Sequence, residues 1–253
     1  MTFQKRMQKI LQIIDELGEV DNRRLADELG VSEITVRRDL ARMASDGHIY
    51  RTHGGAMKVE QLIKPVSFVN KTAVNIKAKD EICKRAAEEI VEGDIIFIDC
   101  GSTAFRLCQF IKNKKIKVIT NSLPVVNELN GTAVSLNLIG GEIDQKRQAI
   151  HGSIAQEHIA RYRASKAFLG IDGISGAGLF AGTESEASNT LAMTKQSSYT
   201  YILCDASKVG KETYLKFADL NLINAIITDY SGPETEKFEL SGIRVLKSSK
   251  FFY

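Results

Sequence analysis

Five short clusters of small, polar or charged residues stand out in this sequence: Asp99-Cys100-Gly101-Ser102-Thr103, Thr120-Asn121-Ser122, Gly140-Gly141-Glu142, Asp172-Gly173 and Asp205-Ala206-Ser207-Lys208. Each lies at or just after a β-branched run read as a strand, namely Ile95–Asp99, Lys117–Thr120, Ser135–Ile139, Lys166–Leu169 and Thr200–Cys204. In an open α/β sheet the carboxyl ends of the strands are where ligands bind. Gly101-Ser102-Thr103 opens a helix, so its amides and hydroxyls form a candidate anion cradle, to which Lys208 adds a point charge. Asp99, Asn121 and Asp172 can hydrogen-bond hydroxyl groups. Ser102 alone could be an ordinary helix cap and Gly140-Gly141 an ordinary turn. Five clusters on one edge are harder to explain in that way.

A second concentration of chemistry lies near the N-terminus. Ile10, Ile13, Ile14 and Leu17 recur at helical spacing before Gly18, predicting a helix over Phe3–Leu17. A second helix follows Asp21 or Asn22, turns Leu25, Ala26 and Leu29 inward and ends at Gly30. Ser32 caps a third, on which Val36, Leu40 and Met43 form the core stripe. Thr35, Arg38, Arg42 and Ser45 fall on the other side, with Arg37 flanking. The Ile49-Tyr50-Arg51 run and the His53-Gly54-Gly55 turn read as a β-hairpin wing. Helix, Gly-containing turn and arginine-bearing helix make a helix-turn-helix able to enter a major groove. The plainer alternative is that these arginines only solvate a small bundle.

Composition frames both features. With 253 residues, 43% hydrophobic and 26% charged, the chain reads as one or two globular domains, not a disordered or fibrous protein. No apolar stretch approaches the ~20 residues of a membrane span, and Lys5, Arg6 and Lys9 break up any signal-like segment, so a cytoplasmic location is expected. Four cysteines without CxxC spacing point to reduced thiols and no metal. The net charge of +3 divides into +1 for residues 1–58 (ten Lys+Arg, nine Asp+Glu) and +2 for the rest, so DNA binding must be argued from placement. After a connection containing Pro65, strands alternate with helices to the end, including Ala225–Thr228 and Arg244–Leu246, and imply a mostly parallel sheet.

The string Ser32-Glu33-Ile34-Thr35-Val36-Arg37-Arg38-Asp39-Leu40, followed by Arg51-Thr52-His53-Gly54-Gly55-Ala56, resembles the DeoR family of bacterial transcriptional regulators, and Arg6 and Ile10 match the spacing of its first helix. Ile96 to Thr103, Val118 to Ser122, Ile139-Gly140-Gly141, Phe168 to Gly173 and Cys204 to Gly210 look like that family's C-terminal sensor domain, which is similar in fold to ribose-5-phosphate isomerase.

The resemblance implies a winged helix-turn-helix over 1–57, a linker over 58–75 and an α/β sugar-phosphate sensor over 76–253. It implies that Ser32, Thr35, Arg37, Arg38, Arg42, Arg51 and His53 face DNA. Arg38 and Thr35 are assigned to base edges, Arg37 and Arg51 to phosphates, and Asp39 to a neighbouring arginine. The effector, a phosphorylated sugar, is expected against Asp99, Gly101, Ser102, Thr103, Asn121, Ser122, Gly140, Gly141, Asp172, Gly173, Glu186 and Lys208. Asn189-Thr190-Leu191 occupies a stretch that is often basic in the family. The function implied is a repressor of a sugar catabolic operon, acting on operator DNA as a homo-oligomer, with no cofactor, no catalytic residue and no membrane partner. The alternative is an isomerase-like enzyme with Asp99, Asp172, Glu186 or His151 as base. Isomerases of this kind follow their Asp-Gly with further acidic residues, whereas this chain continues Ile174-Ser175. His151 and His158 are expected to be exposed.

Overall fold

A computed structural model of the chain describes residues 3–45, 49–51, 54–58, 68, 71 and 74–248, excepting the side chains of 19, 45, 50, 51, 57 and 58. The chain divides into two units, Met1–Pro65 and Val66–Tyr253, the division falling inside the expected connection. Phe68 and Lys71 therefore group with the second unit: the Phe68 amide donates to the Lys146 carbonyl at 2.9 Å and its ring packs edge-on against Phe105.

In the first unit α1 (Phe3–Leu17), β1 (Glu19–Asp21), α2 (Asn22–Leu29), α3 (Glu33–Ser45), β2 (Ile49–Arg51) and β3 (Gly55–Lys58) follow one another. The wing has a third strand that the sequence did not suggest, because β1 pairs antiparallel with β3 on the side away from β2. Local chemistry sets the turn. The Asp21 carboxylate accepts the Arg24 amide hydrogen at 2.8 Å, and Gly30 closes α2 at φ 63°, a conformation that favours glycine. Ile10, Ile14, Leu25, Val36, Leu40 and Met43 are fully buried together. The buried Asp39 carboxylate finds its arginine on α1, not on its own helix: Arg6 donates to it through Nε at 2.5 Å and through Nη2 at 3.1 Å. That fork ties α3 to α1.

The second unit continues with α4 (Ile76–Glu88), β4 (Ile95–Ile98), α5 (Ser102–Phe105), α6 (Cys108–Ile111), β5 (Lys117–Thr120), α7 (Leu123–Leu129), β6 (Ser135–Leu138), β7 (Glu142–Asp144) and β8 (Ala149–His151). Then come α8 (Ser153–Ala160), β9 (Ala164–Gly170), β10 (Gly173–Ser175), β11 (Gly178–Ala181), α9 (Glu184–Lys195), β12 (Ser197–Leu203), β13 (Leu215–Ala218), β14 (Ala225–Thr228), α10 (Glu234–Leu240) and β15 (Arg244–Lys247). The helix α4 ends at Glu88, and Val91 beyond it is exposed.

Seven strands form one sheet in the order β15-β14-β12-β9-β4-β5-β6, with every neighbouring pair parallel. Alternate side chains feed two cores: Ile98, Phe168, Leu203 and Ile227 on one face, Phe97, Leu169, Ile202 and Ile226 on the other. Burial on both faces explains why these strands read as continuous apolar runs. Chain order runs outward from β4 in one direction and from β9 in the other, so the direction of winding switches between them. Two small antiparallel pieces, β10-β11-β13 and the β7-β8 hairpin, were not foreseen. Cys83, Cys108 and Cys204 are buried and unpaired, and burial pushes their thiols up, to about 12 for Cys108 and Cys204. Among the described residues no helix is long and apolar enough to cross a membrane and no acidic, histidine or cysteine group could hold a metal.

A unit as small as Met1–Pro65 has little stability to spare. Leu40→Ala should cost it about 2–5 kcal/mol. The expected outcome is loss of amide protection in α1–α3 by hydrogen exchange, with protection of the parallel sheet retained; equal loss in both would mean the two units fold as one.

Candidate functional site

In open α/β sheets ligands bind where the direction of winding switches, which in this sheet is between β4 and β9. Here Asp99, buried at the end of β4, accepts the Gly101 amide hydrogen with one carboxylate oxygen and the Gly170 amide hydrogen with the other, both at 2.9 Å. Burial raises its pKa to about 6 in spite of those two donors. Each oxygen thus takes one backbone donor, and Asp99 holds the two strand ends together. The glycines face each other: a Cβ on Gly101 would lie 3.0 Å from the Gly170 Cα and 2.9 Å from the Asp99 carboxylate.

The expected cradle at Gly101-Ser102-Thr103 has its charge supplied from elsewhere. The helix after Gly101 is only four residues long, so its dipole is small, and the Gly101 amide is already used. Charge comes from lysines. Lys79 of α4, buried, donates to Ser102 Oγ at 3.1 Å and to the Lys71 carbonyl at 2.5 Å. Lys71 in turn donates to Asp172 at 2.6 Å, and Lys208 lies 3.9 Å from the same carboxylate. Burial pulls down the pKa of Lys79 and of Lys208, and neighbouring cations act in the same direction. Asp205 lies against this group, accepting from Asn75 Nδ2 at 3.1 Å, and Asn75 adopts φ 55° at the start of α4.

On the other side, Asp172 accepts the Gly182 amide hydrogen at 3.0 Å and stands 3.8 Å from the Arg147 guanidinium, which donates to Glu186 at 2.6 Å. Burial works to raise the Asp172 carboxyl, but Lys71 and Lys208 outweigh it and hold the group at about 2. Burial and the Asp172 charge push Glu186 up. Four cations, Lys71, Lys79, Arg147 and Lys208, thus accompany four carboxylates, Asp99, Asp172, Glu186 and Asp205, at one sheet edge. Of these, Lys71, Lys79 and Arg147 were not foreseen: a lone lysine in a polar stretch carries no sequence signal, and only its burial gives it away.

The remaining predicted residues divide between the site and the scaffold. Asn121 and Asn189 are buried and both donate to the Ile150 carbonyl, at 3.0 and 2.9 Å; Asn189 also meets His151 Nδ1 at 3.2 Å. Thr103 is buried, and its carbonyl accepts from the Cys83 thiol. Ser122 caps α7, accepting from the Val125 amide at 3.4 Å. Gly173 belongs to β10, where a Cβ would come within 2.3 Å of the Lys211 carbonyl. Gly140 donates its amide hydrogen to His158 Nδ1 at 3.0 Å, and Gly141 sits at φ 144° against the His151 carbonyl. The histidines expected at the surface are inside: His151 is buried, and desolvation lowers its pKa, while His158 is half-buried between Gly140 and the Tyr162 hydroxyl.

On α3, Ser32 acts as the expected cap, its Oγ 3.3 Å from the Thr35 amide and 3.1 Å from the Thr35 hydroxyl. Arg37 pairs with Glu33 at 3.3 Å, while Arg42 stacks over the Phe3 ring at 4.4 Å and is turned towards α1. Arg38 is exposed with no side-chain partner among the described residues. Arg51 lies on β2, and His53 is outside the described residues.

Two family models match the chain: a DeoR-like helix-turn-helix domain over residues 6–61 and a DeoR C terminal sensor domain over residues 74–230. Among curated relatives, an HTH-type transcriptional regulator, GlpR, of Haloferax volcanii is 30% identical over 96% of this chain and 96% of its own length. A lactose phosphotransferase system repressor of Staphylococcus epidermidis is 31% identical over 92% of this chain and 95% of its own. Among solved structures, ribose 5-phosphate isomerase A of Methanocaldococcus jannaschii aligns with a TM-score of 0.40 at 17% identity, covering 53% of this chain and 55% of that one. An eIF2B beta subunit from Chaetomium thermophilum gives 0.42 at 17% identity, covering 59% and 48%. The chain thus spans about half the length of these solved proteins.

Because the Asp172 carboxyl is depressed, its contribution to stability is complete above about pH 4 and is lost as the pH falls towards 2. Lys71→Met removes the largest stabilising charge. Its Asp172 carboxyl should titrate at higher pH than wild type by carbon-detected NMR, and acid unfolding should begin earlier. An unchanged titration would show that Lys208 and Arg147 hold the charge alone.

Proposed function

The chain belongs to the DeoR family of transcriptional regulators, and from that premise we propose that it represses a sugar-catabolic operon and that a phosphorylated sugar, seated at the switch between β4 and β9, sets its affinity for operator DNA. The first unit is the DNA-binding part. Arg38, exposed and without a side-chain partner among the described residues, is the residue best placed to fork onto a guanine edge, whereas Arg37, already paired with Glu33, suits a phosphate. Arg42, stacked on Phe3, serves mainly to fix α3 on α1.

The observation that carries the effector reading is the crowding of Lys71, Lys79 and Lys208 around Ser102 and Asp172. Lys79, buried, and Lys71 and Lys208, partly buried, stand close enough to lower the proton affinity of Lys79 and Lys208, so although carboxylates balance them in number, a dianion seated among them would meet three cations at once. A phosphate has both the charge and the acceptor oxygens to meet three ammonium groups and one hydroxyl. The rest of a sugar phosphate would extend towards Asn121 and Glu186. Binding at this site becomes regulation if the ligand has different free energies in the DNA-competent and DNA-incompetent states. One recognition helix gives modest affinity, so the working species is a homo-oligomer in the cytoplasm, pairing helices over half-sites about 34 Å apart.

Binding without turnover is the preferred chemistry. Asp172 is a poor base at about 2, and each Asp99 oxygen already takes a backbone donor. Glu186, pushed up but paired to Arg147, is the residue an isomerase reading would need. Isomerisation of any sugar phosphate by the wild-type chain would restore that reading.

A panel of sugar phosphates supplies the test. A ligand at 100 times its Kd should add about 2.7 kcal/mol, and thus raise the melting temperature of the second unit by about 5–10 °C. Lys79→Met should abolish the shift and leave binding to enriched duplex intact; a full shift in that variant, or no shift with any member of the panel, would remove the effector from this site.

A further inference from the structure

One residue on the reading helix fits neither the core nor the cationic surface. Ile34 is 79% exposed in the first turn of α3. At ~100° per residue the buried Val36, Asp39, Leu40 and Met43 define one side of the helix. The diametrically opposite side is centred on Ile34, Arg38 and Ala41, with Arg37 beside them, and all four are exposed. Thr35, half-buried, and Arg42, laid over Phe3, fall on a flank. The outermost line of α3 is therefore apolar at its start and cationic one turn later, where Ile34 and Arg38 are i,i+4 neighbours.

In a helix-turn-helix it is the N-terminal part of the second helix that meets base edges in the major groove. Isoleucine has no donor or acceptor, so it cannot read a hydrogen-bonding edge. The apolar group that the major groove offers is the C5-methyl of thymine. An exposed Ile flanked by arginines, on the part of the helix that goes deepest into the groove, matches that group. We propose that Ile34 is a specificity-determining residue that packs against the C5-methyl of a thymine adjacent to the base pair read by Arg38. The assignment rests on α3 being the DNA-reading helix. Ile34 supplies discrimination by removing apolar surface from water on both sides of the contact, a term that is insensitive to salt, unlike the arginine contacts.

The experiment uses the full chain and a randomised duplex pool. Duplex enriched by the wild-type protein is remade with each thymine replaced singly by deoxyuridine, which removes the methyl and preserves every base-pair hydrogen bond. Losing one buried methyl should weaken wild-type binding about fourfold at one thymine of each half-site. At that position Ile34→Ala should bind the thymine and deoxyuridine duplexes equally, and Ile34→Val should keep most of the difference. Because the side chain lies at the surface, none of these variants should unfold, and an unchanged melting temperature verifies it. Sensitivity that persists in Ile34→Ala, or a wild type indifferent to every thymine methyl, overturns the assignment. An equal loss on enriched and random duplex in Ile34→Ala overturns it too. Failure to enrich any duplex would instead sink the DNA-reading role of α3, and this assignment with it.

Discussion

The carboxylate of Asp99 accepts one amide hydrogen from the loop leaving its own strand and another from the end of β9, where Gly101 and Gly170 let two backbones pass with no side chain between them. Two parallel strands whose connections run in opposite directions must splay at their carboxyl ends, and the splay leaves amides without partners. A buried anion satisfies both. Everything placed around it inherits that geometry: α5 begins where Gly101 is held, Asp172 follows two residues after Gly170, and the cations from α4, from the hairpin loop and from the end of β12 complete the ring. The charges come in near-equal numbers because the interior cannot hold an imbalance: each unpaired ion would carry several kcal/mol of desolvation.

How much of this was readable beforehand depended on the distance over which the determining interaction acts. Helices of the first unit followed from apolar spacing and from Asp21, Gly30 and Ser32, which act within a few residues. The parallel strands announced themselves as apolar runs because both faces are buried. Segments as short as Gly173–Ser175 and Gly178–Ala181 have too few residues to show a period, and their pairing with β13 is set by contacts made elsewhere. In the same way Asp39 was expected to hold a neighbouring arginine, and which one, Arg6 33 residues earlier, is set by the packing of α1 on α3.

The site divides along the same line. Asp172 and Lys208 carry sequence signals because they follow strands and sit in family strings, while Glu186 was expected from the resemblance alone. Lys71, Lys79 and Arg147 do not, since their significance lies in being buried beside charges more than twenty residues away. Backbone also has a claim on side chains expected at the ligand: oxygens of Asp99 and Ser122 accept amides of the fold, a role that residue type alone does not reveal. On α3, helical spacing put Arg42 on the outward side, whereas its stacking over Phe3 and the burial of Asp39 centre the outward line on Ile34 and Arg38.

The thiols have a practical consequence. Cys83, Cys108 and Cys204 are sealed in the interior, and Cys100, on the loop after β4, also has its thiol pushed up by burial, so at neutral pH these sulfurs are held as thiols and not as the reactive thiolates. Alkylating reagents should find these thiols slow to react in the native chain. The same inertness leaves an introduced surface cysteine as the preferred target for a fluorophore, so that motion of the reading helix can be followed in the otherwise unaltered protein.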